Sequence, residues 1–339
     1  MKKPLLVLLV VAAFFGFFFK ARASDVCYRV IPAADARKMW ETNHGYCGEV
    51  SLQVVGLQMG FWVGQNQARS LAGGEALLGL NFDKLLESMH LQYTNWSGSN
   101  TLNDRREFLQ WIKNGVMAGK QVIFAVKTHE KWGTDPDYDH ILAVDAIGLA
   151  KTNAKSESGQ WTATHAYNPD DILFYSDGFD GTETNLTFGQ LVDGSTDVDQ
   201  CYFLPSKATI RLQNGKPVKC EGSQYGVMIT GQKSDSECLP IHLTSLSSTF
   251  EPDVLNGSQS LPMTAIVTMT NLGVGSNYVL LRLDVNTNTI INMPWTKIWE
   301  SQAKKEWQFF ATNSAAKRCV TFMSDGITFF RLMETNNIK

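Results

Sequence analysis

Gly45-Tyr46-Cys47-Gly48-Glu49-Val50-Ser51-Leu52 is the stretch from which the rest of the chain is read. A cysteine stands between small and turn-forming residues, and a helical pattern begins at once. Val50, Val54, Leu57 and Phe61 recur at offsets of four, three and four, the spacing of one helix face. The pattern predicts a helix over residues 47–61 with Cys47 at its N-terminus. Unpaired N–H groups and the positive end of the helix dipole favour a thiolate there. Gly48 lets a substrate backbone approach the sulfur, and the first N–H groups can face an oxyanion. The same residues also fit a buried, inert cysteine at a helix start.

Downstream, residues 66–71 and 82–89 read as short helices broken by Gly73-Gly74, and residues 91–101 as a polar loop. A helix follows over residues 104–118, with Asn103 or Asp104 as its cap and Phe108, Leu109, Ile112 and Val116 as its apolar face. The period then changes. Residues 121–126 are a short apolar run, as in a buried strand. Residues 140–148, opened by His140, 161–167 and 172–176 read as further strands. Residues 188–192 have no clear assignment. Helices first and antiparallel strands second is an α+β pattern. Beyond residues 205–207 almost everything reads as short strands with turns between them, the spacing of a β-sandwich. The expected architecture is therefore an α+β domain over residues 24–205 followed by an all-β, sandwich-like domain over residues 206–339.

The chain has 339 residues, enough for two domains. Its net charge of -3 gives no reason to expect nucleic acid or anionic lipid as a partner. Lys2 and Lys3, an apolar run over residues 4–19 and Ala21-Arg22-Ala23 form a secretory signal, with cleavage expected before Ser24. Contact with a membrane is expected only if that segment stays uncleaved. Three glycosylation triplets, at Asn95, Asn185 and Asn256, agree with export. The six cysteines are Cys27, Cys47, Cys201, Cys220, Cys238 and Cys319. An exported chain can oxidise them. Cys220 with Cys238 and Cys27 with Cys201 are the expected pairs, leaving Cys319 over and Cys47 as a nucleophile.

A thiolate needs a base and a group that orients the base. Of six histidines, His140 is the best placed, because it opens an apolar strand after a polar loop. His44 is a nearer alternative on the approach to Cys47, and His165 reads as core or as support for the site. Asn168, at the end of the strand over residues 161–167, is the expected orienter, since antiparallel return could bring it beside the imidazole. Asp170 and Asp171 compete for that role, and all three also suit a turn around Pro169. For the oxyanion the candidates are the Cys47 N–H and the Asn43 amide, with Glu41 and His44 as alternatives. No CxxC pair or HExxH is present, so neither metal nor cofactor is expected. Asp177 and Asp180, near Gly178 and Gly181, suit a turn better than a calcium loop.

The ordered set of Tyr46-Cys47-Gly48-Glu49-Val50-Ser51-Leu52, Asp139-His140-Ile141-Leu142-Ala143-Val144 with Ile147-Gly148, and Tyr167-Asn168-Pro169 resembles papain-like cysteine peptidases. The likeness is to the bacteriocin-processing branch above all, over residues 40–171. The resemblance implies a thiolate–imidazolium pair, an acyl-enzyme and hydrolysis of an amide bond. It implies a secreted hydrolase acting on a peptide or protein through Cys47, His140 and Asn168, with Asn43 at the oxyanion. Two departures stand out. Glu41 occupies the place of the family's Gln upstream of the cysteine, and Glu49 stands where a small residue is usual. The rival expectations are an inactive peptidase-like binding or surface protein, which Glu41 favours, and a transglutaminase-like acyl transferase.

Overall fold

The computed structural model describes residues 26–29, 45–74, 79–96, 102–127, 139–150, 165–177, 181–193, 209–211, 217–219, 226–233, 241–245 and 261–335. In chain order the first elements are β1 (Val26–Arg29), α1 (Cys47–Met59), β2 (Phe61–Val63), α2 (Gln65–Ala72), α3 (Gly79–Ser88), β3 (Leu91–Asn95) and α4 (Leu102–Met117). Then come β4 (Gln121–Lys127), β5 (Asp139–Ala150), β6 (Ile172–Asp177), β7 (Thr182–Thr187), α5 (Phe188–Asp193), β8 (Thr209–Arg211), β9 (Pro217–Lys219) and β10 (Gly226–Gln232). The last are β11 (Ile241–Ser245), β12 (Pro262–Met269), β13 (Asn277–Val285), α6 (Thr287–Asn292), α7 (Trp295–Gln302), β14 (Lys304–Phe310), β15 (Ala316–Met323) and β16 (Ile327–Glu334). The fold is α+β and rich in sheet.

The largest sheet has seven strands in the order β3-β10-β4-β5-β6-β7, with β1 added against β5. Its pleat sorts side chains to two faces. Ile123, Ile141, Ala143, Val227 and Ile229 pack with Val50, Val54 and Val55 of α1. Val122, Phe124, Leu142, Val144 and Met228 pack with Phe108, Leu109 and Ile112 of α4. The sheet therefore lies between α1 and α4. Beyond α1, β11-β12-β15 and β14-β13-β16-β2 form two further sheets around Leu57, Trp62, Leu243, Phe322 and Phe330.

This arrangement explains why α1 is not amphipathic in the way its spacing predicts. Every residue from Cys47 to Gln58 is buried. One side of the helix feeds the seven-stranded sheet, whereas Leu57 belongs to the core between the C-terminal sheets. Its polar residues therefore need internal partners. Gln53 Nε2 donates to Val63 O at 3.0 Å and its Oε1 accepts from Gln65 Nε2 at 3.1 Å. The helix ends at Gly60, whose φ of 76° is left-handed and suits a residue without Cβ.

The division at residues 205–206 is crossed in both directions. β10, from the C-terminal part, sits between β3 and β4 in the large sheet. β2, from the N-terminal part, pairs with β16 through Phe61↔Phe329, Trp62↔Thr328 and Val63↔Ile327. Burial drives the second exchange. Phe61, Trp62 and Val63 are wholly buried, and the Trp62 indole donates to Ser324 O at 2.8 Å. Other local expectations also change. Residues 91–95, expected as loop, form β3 because β10 supplies a partner. Residues 165–167 are not a strand, and residues 161–164 lie outside those described. β7, α6 and α7 are additional, and the segment over residues 188–192 is the helix α5. Asn286 caps α6 by accepting from Thr289 N–H. Among the described residues, no helix is long and apolar enough to cross a membrane.

Candidate active site

Gly45 takes a left-handed φ of 64° and turns the chain into α1. Tyr46 follows in the N-cap position and accepts the first helical hydrogen bond, from Val50 N–H at 3.0 Å. Its side chain does not cap the helix. It turns aside and donates its hydroxyl to Asn66 Oδ1 at 2.8 Å. Cys47 is thus the first residue of the helix, where backbone N–H groups lack intrahelical acceptors. Its thiol is free and 3% exposed. Cys319, the other free thiol among the described residues, is exposed on β15. The pairings expected for Cys27, Cys201, Cys220 and Cys238 rest on side chains outside those described.

Glu49 is wholly buried two residues beyond Cys47. A carboxylate there needs a cation, and Arg69 of α2 supplies it. Arg69 Nε donates to Glu49 Oε1 at 2.7 Å, and Nη2 donates to Gly45 O at 2.8 Å. The guanidinium also lies over the Tyr46 ring, 3.4 Å from its centroid. One side chain therefore ties together the residues on both sides of the cysteine. Sequence reasoning missed Arg69. The signal available was Glu49 itself, the one charged residue of the helix.

One turn beyond Cys47, Ser51 Oγ donates to Ile141 O at 3.1 Å. Positions i and i+4 share a helix face, so this bond sets the first turn of α1 against the start of β5. His140 is the preceding residue, buried to 1% and paired in register with Val126. The backbones carrying the two expected catalytic residues are therefore neighbours. The pleat adds a condition. Ile141 and Ala143 face α1, while Leu142 and Val144 face α4. Carried one step back, this alternation gives His140 the α4 side, so the imidazole meets the sulfur only around the start of the strand.

Asn168 does not come beside His140. The strand returning along β5 is β6, in the register Gly148↔Ile172 and Ala143↔Ser176. Residues 168–171 precede it and lie at the far end of β5, where Ala150 N–H donates to Asp171 Oδ1 at 3.0 Å. Ten residue steps along the strand separate that end from His140, about 30 Å of extended chain. Asn168 forms a turn there: its Oδ1 accepts from Asp170 N–H at 3.0 Å, and its carbonyl from Asp171 N–H at 3.1 Å. Asp170 is exposed. Asp171 is wholly buried against Lys113, whose Nζ donates to its Oδ2 at 2.6 Å and to Ala166 O at 2.8 Å. By backbone register, the residue of β6 that returns toward the start of β5 is Asp177, one step beyond Ser176.

His165 is exposed, with its Nδ1 2.9 Å from Asn114 Oδ1. His242 Nδ1 lies 2.8 Å from Gln58 O, toward the other end of α1. Asn43, Glu41 and His44 lie outside the described residues. Asp145 went unnoticed in the sequence. It is wholly buried at a bulge in β5 and accepts from Ser176 Oγ at 2.8 and 2.7 Å. Among the described residues, no group of three or more His, Cys, Asp or Glu side chains could hold a metal ion. No family model matches the chain, and no curated protein matches it.

Proposed function

We propose that the protein is a papain-like cysteine hydrolase that cleaves amide bonds in a peptide or protein substrate. The observation that carries this reading is the Ser51–Ile141 hydrogen bond, which sets the helix turn holding Cys47 against the strand start holding His140. In this scheme His140 takes the thiol proton and Cys47 Sγ attacks the carbonyl carbon. The N–H groups of the first turn of α1, with Asn43 as the side-chain donor, stabilise the oxyanion. The C–N bond breaks as the imidazolium gives its proton to the amine. Water, deprotonated by His140, then hydrolyses the thioester, releasing the acid and regenerating the thiol. The leader and the glycosylation triplets support export, and Asn95 and Asn185 stand at exposed positions.

The test is iodoacetamide labelling of the native protein, read by peptide mass. Cys47 is expected to label at pH 7, and His140→Ala to suppress labelling at least about tenfold, because the thiolate fraction falls with loss of the base. The second reading is a binding protein on an inactive peptidase-like scaffold. The near-complete burial of Cys47 favours it. It predicts that Cys47 labels only in denaturant, with no effect of His140→Ala.

A further inference from the structure

Arg69 reaches the cysteine's surroundings from a second helix and there meets Glu49, Gly45 O and the Tyr46 ring. None of these contacts touches the sulfur. Buried charges are weakly screened, so a bare Glu49 carboxylate two residues from Cys47 would oppose a thiolate. The pair also excludes water: Arg69 is 8% exposed and Glu49 is 0%. Tyr46 is doubly held, by the guanidinium above its ring and by Asn66 at its hydroxyl. The backbone entering the helix is thereby fixed at Gly45, Tyr46 and Glu49, the residues flanking the nucleophile.

We propose that Arg69 is a positioning residue for Cys47, which cancels the charge of Glu49 and fixes the turn into α1 so that the thiolate can form. The proposal rests on the hydrolase reading. Among the described residues, the charged and titratable groups of the elements around this turn include Glu49 and Tyr46 beside the cysteine, Arg69 on α2, and His140 and Asp145 on β5. Lys127 and Asp139 pair by backbone register at the end of the β4–β5 ladder, and His242 of β11 is held at Gln58.

The sign follows from removing each charge in turn. Arg69→Gln leaves the acid uncompensated and raises the pH midpoint of Cys47 alkylation. Glu49→Gln leaves the cation and lowers it. The double variant Glu49→Gln/Arg69→Gln returns the midpoint toward wild type. A midpoint shift of about one unit is a tenfold change in thiolate fraction below the midpoint. The experiment is the rate of iodoacetamide alkylation at Cys47 between pH 5 and 10 for wild type and the three variants, with near-ultraviolet circular dichroism as the check on folding. Opposite shifts in the single variants, of about three- to tenfold in rate at pH 7, establish the role. Unchanged midpoints in the folded variants overturn it while leaving the hydrolase reading intact. If Arg69→Gln does not fold, Glu49→Gln decides alone, since a merely structural clamp predicts no downward shift. Failure of wild-type Cys47 to label in the native state overturns the hydrolase reading and this inference with it.

Discussion

Replacing Asp171 by Asn tests whether the acidic turn around Pro169 serves the fold or the chemistry. In the structure Asp171 pairs with Lys113 at 2.6 Å, accepts from Ala150 N–H at 3.0 Å and, through its own carbonyl, accepts from Phe188 N–H at 2.8 Å. Asn preserves the shape and can still accept from Ala150. What it removes is the charge opposite Lys113, a side chain with 0% exposure. Breaking one half of a buried ion pair costs about 3–5 kcal/mol, because the other charge stays buried without compensation. Lys113→Met should cost a similar amount. Lys113→Met/Asp171→Leu, with no charge left, should be less destabilised than the two single losses summed by at least about 2 kcal/mol. Guanidinium unfolding followed by tryptophan fluorescence measures each value. Native alkylation of Cys47 should be unchanged in Asp171→Asn, since the pair sits at the end of β5 remote from His140. A cost below about 1 kcal/mol together with collapse of Cys47 labelling would refute the placement, and would return Asp171 to the imidazole.

Two further predictions follow from the packing. His90 stacks on Trp295 with centroids 4.9 Å apart, and burial, the largest influence, lowers its pKa from 6.5. The unfolded chain then binds more protons than the folded one below pH 6.5, so stability falls as pH drops through that range and levels off below the folded value. His90→Asn keeps the left-handed φ of 52° at little strain and should remove this part of the pH dependence in denaturation between pH 5 and 8; equal slopes in both proteins refute it. Truncation after residue 205 removes β10 from between β3 and β4 and β16 from beside β2. The fragment should lack a near-ultraviolet circular dichroism signal, and a folded, cooperatively melting fragment would overturn the interleaving.

The helix at Cys47, the strands read at residues 121–126 and 140–148 and the α+β class were legible because each rests on local periodicity. The relation between His140 and Asn168 was not, because it depends on which segment returns along β5. Sequence spacing suggested residues 161–167. The sheet instead takes Ile172–Asp177, whose Leu173 and Tyr175 fill the α4-side core. The strand exchange was hidden for a similar reason. Phe61 reads as the end of a helix, and only the partner of Phe61-Trp62-Val63 in β16, more than two hundred residues away, makes it part of a strand. Arg69 was invisible because nothing in a polar octapeptide marks which cation will meet a buried acid twenty residues earlier.

That exchange gives the C-terminal sheets a mechanical part in the candidate site. α1 is one rigid rod of 13 residues, with Cys47 at one end and Gly60-Phe61 at the other. At the far end Phe330 N–H donates to Gly60 O at 2.8 Å, β2 lies in register on β16, and His242 of β11 meets Gln58 O. At the near end the helix is held by Arg69 and by Ser51 on Ile141. A rod fixed at both ends cannot slide along its axis, so the height of Cys47 relative to the start of β5 is set jointly by the two parts of the chain. The C-terminal strands therefore bear on the position of the thiol through the helix they anchor.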